Sequence, residues 1–269
     1  MSKILTYICP LKKYLDIWQR LKTIIIHYPI VSYIDILGFS KFVCNSSFNE
    51  VLNSIKTFKK NFGSSLKYER ELIGRRTSFC SDSFFATTPI GRGQFYHELY
   101  ITAITQCQLI YSGQFLRGGI TIGNVFHRGT NIFGNALVKA VDLEKDIEYP
   151  IIQIDNEALE YYKNNSKMWS HPKCKFYTFE DDFKLLRPII GKTQDNKRFI
   201  DYLAYIFTED SGGCSFIKDF MQKHKSEIIT ALSKVSDPHI REKYIWLKKY
   251  HNDTLTKNNV NTNSNLYIT

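Results

Sequence analysis

The stretch VSYIDILGFS, residues 31–40, decides how the fold is interpreted. Its apolar residues are typical of a buried strand, but Asp35 interrupts them just before a turn at Gly38. A carboxylate at the end of a buried strand is costly unless another group pairs with its charge. The stretch therefore predicts a strand that ends at a site where a carboxylate is needed, with a simple strand-end cap as the alternative.

A second carboxylate, Asp82, lies in RRTSFCSDSFFATTPI, residues 75–90, which reads as two strands around a tight turn at Ser81 and Asp82. An antiparallel hairpin beside the first strand would bring Asp82 and Asp35 to one edge of the sheet. Two adjacent carboxylates repel each other unless a cation lies between them, and oxygen ligands suit Mg²⁺ or Mn²⁺ with substrate phosphates. Taken alone, Asp82 could equally be a turn residue.

Composition sets broad limits on the class of protein. With 269 residues, 43% hydrophobic and 14% aromatic, the chain can form a large core. The formal net charge of +10 favours anionic partners, although base composition alone could also enrich Lys and Asn. The six cysteines form no CxxC pair, so we expect a reduced, cytoplasmic protein with its cysteines in the core. The first 30 residues contain no long apolar run, so no membrane association is expected.

Strands and helices alternate over the first 160 residues, which predicts an α/β sandwich. Apolar spacing predicts helices over 46–62, with a Ser and Glu cap, over 93–113 and over 135–148. Residues 114–126 are predicted to form a strand whose glycines let another backbone pass close, and HRGTNIFG, residues 127–134, a loop.

Four stretches, in order, resemble the class III nucleotidyl cyclase catalytic domain: YIDILGFS (33–40), CSDSFFAT (80–87), LRGGITIGNVF (116–126) and NIFGNALVKAVDLE (131–144). The resemblance covers about residues 29–155. It implies an α/β fold (an α+β sandwich), with a mixed antiparallel sheet flanked by helices and a C-terminal helical extension. The predicted organisation is a catalytic domain over 29–173 and its C-terminal part with the helical extension over 174–252. Composition adds a basic lead-in over 1–28 and, because the last residues are polar and rich in Asn, a disordered tail over 253–269.

Within that family, the form G-x-A-L-V-x-A-x-x-L-E resembles the pyrimidine cyclases of bacterial Pycsar antiphage defence. YPIIQID (149–155) and REKYIWLKKYHND (241–253) resemble the same subfamily. The resemblance implies conversion of UTP to 3′,5′-cyclic UMP and pyrophosphate, with CTP and cyclic CMP as the alternative. It also implies an effector protein that responds to the cyclic nucleotide.

The resemblance also implies roles for single residues. Asp35 and Asp82 would hold two Mn²⁺ or Mg²⁺ ions together with the backbone of Ile36. The positions of the transition-state Asn and Arg of purine cyclases hold Val138 and Asp142. Either catalysis is lost, or another group supplies the positive charge.

Two residues correspond to the base-binding positions, Arg76 and Asn131. An arginine only donates hydrogen bonds, whereas an asparagine amide both donates and accepts and can therefore face a pyrimidine. This argues against an adenine-type arrangement and does not separate uracil from cytosine. A local turn is the alternative role for Asn131.

The backbone N–H groups of the Leu37-Gly38-Phe39 turn are candidates for triphosphate binding, and Phe39 is the residue of this turn predicted to contact the triphosphate. The side chains of Lys139 and Arg128 are further candidates. A solvated helix face and loop are the alternatives for the last two. Arg117 is interpreted as structural. The resemblance further implies a head-to-tail homodimer, in which the carboxylates of one protomer face the base-binding residues of the other.

Three other classes of protein compete with this interpretation. A cyclase relic that only binds nucleotide is favoured by Val138 and Asp142 and disfavoured by the paired carboxylates. A polymerase or diguanylate cyclase on a similar sheet lacks the Gly-Gly-Asp/Glu-Glu-Phe signature here. A nucleic-acid-binding module is suggested by the net charge with 17 Tyr and 19 Phe, but no nucleic-acid motif supports it, and no nucleic-acid partner is expected.

Overall fold

The computed structural model describes residues 28–63, 74–91, 93–165, 179–208, 214–261 and 264–269. The predicted lead-in over 1–28 lies outside these residues, except for its last residue. In the described part of the chain, strands and helices alternate up to about residue 206 and two long helices follow.

Strand β1 is central in a mixed seven-stranded sheet of the described residues, whose order is β2-β3-β1-β4-β7-β9-β8. It pairs antiparallel with β3 and β4, while β4 and β7 run parallel. A separate ribbon is formed by β5 and β6. The strands are β1 Ile30–Ile36, β2 Arg76–Cys80, β3 Ser83–Thr88, β4 Leu116–Ile122, β5 Phe126–Arg128, β6 Asn131–Phe133, β7 Ile152–Ile154, β8 Ile190–Lys192 and β9 Arg198–Ile200.

Helices cover both faces of the sheet. The predicted α/β fold with a mixed sheet flanked by helices is therefore confirmed. The described α-helices are α1 Phe39–Asn45, α2 Phe48–Gly63, α3 Gln94–Ile110, α4 Asn135–Lys145, α5 Asn156–Asn165, α6 Phe179–Leu186, α7 Tyr202–Ile206, α8 Cys214–Lys234 and α9 Pro238–Lys257.

Side-chain alternation along β1 divides the molecule into two layers. Ile30, Ile34 and Ile36 point into the main core, which α2 and α3 cover. Val31 and Tyr33 point to the opposite face, where Val31 packs against α4. Asp35 belongs to this second face, so the carboxylate lies on the side that α4 and the β5–β6 ribbon cover.

Gly119 sets how closely α4 approaches the sheet. A Cβ atom there would lie 2.2 Å from the carbonyl oxygen of Ala140 in α4. No side chain fits at that distance, so glycine is required for this packing. The prediction that the glycines of this strand accommodate a neighbouring backbone is confirmed.

The C-terminal part of the chain shares the main core. β8 and β9 extend the sheet, and α8 and α9 pack on each other and on the core through the fully buried Phe220 and Leu247. The predicted helical extension is therefore packed against the sheet.

Local predictions were mostly confirmed. The helix predicted over 46–62 is α2, and Ser47 and Glu50 form its capping box: Glu50 accepts from the Ser47 backbone at 2.8 Å, and its own N–H donates to Ser47 Oγ at 3.4 Å. The predicted loop at 127–134 was wrong, because the flanking residues pair as the β5–β6 ribbon around Gly129, which has a φ of 61°.

The predicted disordered tail was also wrong for the residues described. Helix α9 continues to Lys257, and Leu266 and Ile268 are buried against the C-terminal helices. Asn252 binds the backbone of Ile268 through both its amide oxygen and nitrogen, at 3.0 and 2.9 Å. Polar composition misled the prediction because two apolar residues are enough to anchor a short segment whose backbone is also paired.

Cysteine placement differs from expectation in part. Cys107 is buried as predicted, whereas Cys44 and Cys80 are exposed and free. Among the described residues, no helix combines the length and the apolar character needed to cross a membrane.

Candidate active site

Asp35 is held from both sides by the strands that flank β1. The register places it opposite Ser83 in β3 and Arg117 in β4. Ser83 Oγ donates to Asp35 Oδ1 at 3.1 Å, and Arg117 Nη2 donates to Oδ2 at 3.2 Å. The same guanidinium lies 2.6 Å from Glu144 Oε1 in α4, so Arg117 connects the carboxylate of the strand to the helix above it.

Asp82 lies beside Asp35 at this end of the sheet. It follows Ser81, whose φ of 53° forms the tight turn between β2 and β3. The pKa of Asp35 is raised to about 6, first by burial, then by the charge of Asp82 and a hydrogen bond with it, against the opposing effects of Arg117 and Ser83. The structure thus brings the two predicted carboxylates together, and they resist ionising together while no cation lies between them.

The donor set of this pair fits a hard divalent cation. Within the described ranges, no group of three or more His, Cys, Asp or Glu side chains could hold a metal. Asp35 and Asp82, with the carbonyl of Ile36 at the end of β1, offer oxygen atoms only. Such a set suits Mg²⁺ or Mn²⁺, which keep several non-protein ligands, rather than structural zinc.

The turn after Asp35 offers fewer backbone donors than predicted. The N–H of Leu37 donates to the carbonyl of Phe115 at 2.8 Å and is already used. Gly38 adopts a φ of 73°, and Phe39 then begins α1 with its side chain buried. Only the backbone N–H groups of Gly38 and Phe39 therefore remain as candidates for a phosphate at this turn.

The base-binding candidates lie at the other end of the same face. Arg76 pairs with Thr87, which pairs with Val31, four residues before Asp35. At about 3.3 Å per residue this separation is about 13 Å along the sheet. One protomer therefore does not bring Arg76 next to the carboxylates.

The β5–β6 ribbon lies over this far end of the sheet. Its His127 imidazole lies 3.2 Å from Ser78 Oγ and 2.9 Å from Thr87 Oγ1, and its carbonyl accepts from the Arg76 guanidinium. Asn131 and Arg128 are paired in the same ribbon and are exposed. Asn131, Arg128 and Arg76 thus form one group at the ribbon.

Apolar side chains are exposed beside that group. Phe126 and Phe133 stack with ring centroids 4.8 Å apart while remaining 46% and 63% exposed. Val138 on α4 is 60% exposed, and Asp142, one turn further along the helix, is exposed as well. Phe126 and Phe133 thus form an exposed apolar pair in the ribbon that also carries Asn131 and Arg128.

The ammonium of Lys139 is already paired within the protomer and offers no unpaired charge to a phosphate. Its ammonium lies 2.7 Å from Asp155 Oδ2 and 2.6 Å from Glu157 Oε2. Burial lowers the pKa of Lys139, but the hydrogen bonds and charges of these two carboxylates outweigh it and the pKa is raised. Within the protomer, Lys139 therefore connects α4 to the segment after β7.

Sequence reasoning missed the role of Arg117, which it interpreted as structural. Arg117 contacts Asp35 directly, and Ser83 and Tyr33 also belong to the site, with the Tyr33 hydroxyl 3.3 Å from Ser83 Oγ. The signal was present in strand alternation, since Arg117 and Gly119 share a face and Gly119 was already assigned to a close contact. The missing information was the register between β1 and β4.

No family model matches the chain, and no curated protein matches it. Solved structures that are similar to it include the guanylate cyclase domain of RhGC from Catenaria anguillulae in complex with GTP, at 14% identity and a TM-score of 0.43, covering 52% of this chain and 84% of that one. A bacterial light-regulated adenylyl cyclase gives 15% identity and a TM-score of 0.41, covering 60% and 97%. A class III adenylyl cyclase-like ATP-binding protein from Pseudomonas aeruginosa gives 13% and 0.38, covering 60% and 40%. Each likeness is partial.

Proposed function

We propose that this protein is a pyrimidine nucleotidyl cyclase that converts UTP to 3′,5′-cyclic UMP and pyrophosphate, with CTP as the alternative substrate. The observation that carries the proposal is the pair of adjacent carboxylates, Asp35 and Asp82, at the end of the central strand, where the pKa of Asp35 is raised to about 6. Two carboxylates held together in this way are suited to a divalent cation with a polyphosphate substrate.

The reaction is an intramolecular phosphoryl transfer. The 3′-oxygen forms a bond to the α-phosphorus, and the bond from the α-phosphorus to the oxygen bridging to the β-phosphate breaks. The electron pair of that bond leaves with pyrophosphate, and the 3′-hydroxyl proton passes to solvent. Catalysis then depends on positioning and on stabilising the charge of the leaving group.

The protein's own residues perform the positioning. Asp35 and Asp82, with the Ile36 carbonyl, would hold two Mn²⁺ or Mg²⁺ ions, which when bound supply activation of the 3′-oxygen and neutralisation of the phosphates. Arg117 and Ser83 fix the orientation of Asp35 through their hydrogen bonds. The N–H groups of Gly38 and Phe39 lie next to the strand end, where a phosphate would be bound.

Base recognition and assembly are proposed together. Arg76 lies about 13 Å from Asp35 along the sheet, and Asn131 lies in the β5–β6 ribbon over that far end. We therefore propose a head-to-tail homodimer in which each site combines the carboxylates of one protomer with the base-binding residues of the other. The exposed Phe126, Phe133 and Val138 lie beside those residues and support a contact surface there. An amide at Asn131 can donate to and accept from a pyrimidine edge.

The proposed biological role is that of a cytoplasmic second-messenger enzyme in antiphage defence, acting through an effector that binds the cyclic nucleotide. This role rests on the resemblance of the motifs over 131–144, 149–155 and 241–253.

A second candidate is a cyclase-like protein that binds nucleotide without turnover. It is favoured by Val138 and Asp142, which leave the outer face of α4 without the Asn and Arg of purine cyclases, and by Lys139, which is committed to two carboxylates. The intact carboxylate pair is the observation against it.

The deciding experiment incubates the purified chain with Mn²⁺ and, separately, UTP, CTP, ATP and GTP, and identifies products by mass spectrometry. We expect one cyclic pyrimidine monophosphate, absent with Asp35→Ala and with Asp82→Ala. Nucleotide binding without any product would favour the non-catalytic candidate, and a cyclic purine product would overturn the pyrimidine assignment.

A further inference from the structure

Helix α4 leaves the proposed leaving group without a positive charge from its own side chains. Its basic residues are Lys139 and Lys145; the first is paired with Asp155 and Glu157, and the second lies in the last turn. A departing pyrophosphate gains negative charge in the transition state, and a fixed cation there lowers the barrier. A positive charge next to the departing pyrophosphate would therefore have to come from another helix or strand.

Helix α9, in the C-terminal part of the chain, packs against the end of the sheet that carries Asp35. Its N-cap Asp237 forms an ion pair with Lys41 of α1, the helix that directly follows the Asp35 turn. One to two turns later, Tyr244 packs edge-on against Phe115, with ring centroids 5.7 Å apart. The carbonyl of Phe115 accepts from the N–H of Leu37, so α9 contacts α1 and the residue that hydrogen-bonds the turn after Asp35.

Lys243 lies between these anchor points and precedes Tyr244. It is partly buried, and its charged neighbours are Arg117, Glu144 and Glu148. Arg117 is the residue that hydrogen-bonds Asp35, and Glu144 is its second partner. Lys243 of α9 therefore lies near the guanidinium that hydrogen-bonds Asp35.

The surroundings of Lys243 do not fully balance its charge. Burial lowers its pKa, and the Arg117 guanidinium lowers it further, while Glu144 and Glu148 act in the opposite direction. In the part of the chain that the structure describes, ion pairs connect Arg117 to Asp35 and to Glu144, but none within 4 Å involves Lys243. A partly desolvated cation next to another cation is stabilised by an added anion, and a polyphosphate carries several negative charges.

We propose that Lys243 is a polyphosphate-binding residue, supplied by α9 to the site formed by Asp35, Asp82 and Arg117. This inference rests on the proposed function for the identity of the substrate. Lys243 would bind the β- and γ-phosphates and stabilise the departing pyrophosphate, and it would thereby supply positive charge that Val138 and Asp142 do not. The packing of α8 and α9 on the sheet then has a role in the site as well as in the core.

The test measures binding of inorganic tripolyphosphate to the full chain by calorimetry in Mg²⁺, for the wild type and for Lys243→Met. The methionine keeps most of the aliphatic stem and removes the charge. Loss of one charged hydrogen-bond donor is expected to weaken binding about tenfold to a hundredfold. Lys243→Arg should retain affinity within about threefold, because the positive charge is kept.

Lys249→Met is the matched control. Lys249 lies on the same helix, is largely exposed and forms an i,i+4 ion pair with Asp253 at 3.6 Å. It should bind tripolyphosphate as the wild type does. Lys243→Gln repeats the measurement with a polar neutral side chain, and thermal melts of all variants separate a folding defect from a loss of charge.

Cyclisation assays on the same proteins separate the two proposals. Equal tripolyphosphate affinity of the wild type and Lys243→Met, or no binding by the wild type, overturns the role of Lys243 even if a cyclic nucleotide is made. Weakened binding by Lys243→Met in a chain that yields no cyclic product supports Lys243 as a polyphosphate ligand and rejects the cyclase.

Discussion

Two buried carboxylates lie on opposite faces of the sheet around β1, and they are held in very different ways. Glu98 of α3 receives two hydrogen bonds from Arg75, at 2.9 and 3.0 Å, and one each from Ser32 and Thr88, both at 2.8 Å. Asp35 receives one from Ser83 and one from Arg117, both longer than 3.0 Å, and has a second carboxylate beside it.

The pKa values of Glu98 and Asp35 are shifted in opposite directions from their ordinary values. Burial raises the pKa of Glu98, but the charge and hydrogen bonds of Arg75, with the two hydroxyls, outweigh it and the pKa is lowered. Burial and Asp82 raise the pKa of Asp35 to about 6. A carboxylate whose lone pairs are all satisfied within the fold contributes to structure, whereas one left partly satisfied next to a like charge is available to a cation.

The largest expected effect comes from removing one charge of the pair at the site. Asp35→Asn and Asp82→Asn should each lower cyclisation by at least about a thousandfold, because the cation that neutralises the phosphates would be lost. The free energy of unfolding should stay within about 1 kcal/mol of the wild type, since a repulsion is removed as well. Steady-state rates measure the loss of cyclisation, and urea unfolding measures the change in stability. A large loss of stability would mean that Asp35 or Asp82 stabilises the fold as Glu98 does.

Glu98→Ala should lower the free energy of unfolding. It leaves Arg75 buried without its ion-pair partner, which costs about 3–5 kcal/mol in the free energy of unfolding. Urea unfolding measures this change. Glu160→Ala, whose side chain is 55% exposed, is the control and should change stability by no more than about 0.5 kcal/mol. A similarly small change for Glu98→Ala would mean that the buried ion pair of Glu98 and Arg75 does not stabilise the fold.

The pH dependence of unfolding should have opposite signs for the two carboxylates in protein kept in chelator. The pKa of Asp35 is raised, so its contribution to stability is fully present below pH 4 and is lost as the pH rises through about 6. The pKa of Glu98 is lowered, so its contribution is present above its ordinary value of 4.5 and is lost as the pH falls below that. Differences between the wild type and Asp35→Asn or Glu98→Gln, followed from about pH 2 to pH 8, isolate each contribution.

The smallest expected effects come from single hydroxyl groups. Thr88→Ala removes one hydrogen bond to Glu98 and should cost about 1–2 kcal/mol of stability without changing turnover. Ser83→Ala removes one hydrogen bond to Asp35 and should lower turnover about threefold to tenfold. Its free energy of unfolding should fall by less than about 1 kcal/mol. If both variants affected only stability, Asp35 would be as structural as Glu98.

Local patterns along the chain predicted most of the elements. The carboxylate in an apolar run, the Ser and Asp turn, the Ser47 and Glu50 cap and the glycines of β4 each act within a few residues, so the sequence contains the information directly. The β5–β6 ribbon escaped prediction because each strand has only three residues, too few for a period of two to stand out.

The sequence by itself determined which carboxylates stand at strand ends and which elements form around them. Only the tertiary structure decided that Arg117 reaches Asp35, that Lys139 pairs with Asp155 and Glu157, and that Lys243 of α9 lies near Arg117. These contacts join residues 16 to more than 100 positions apart. They depend on strand register and helix packing, which the burial of the whole core fixes and which no local period encodes.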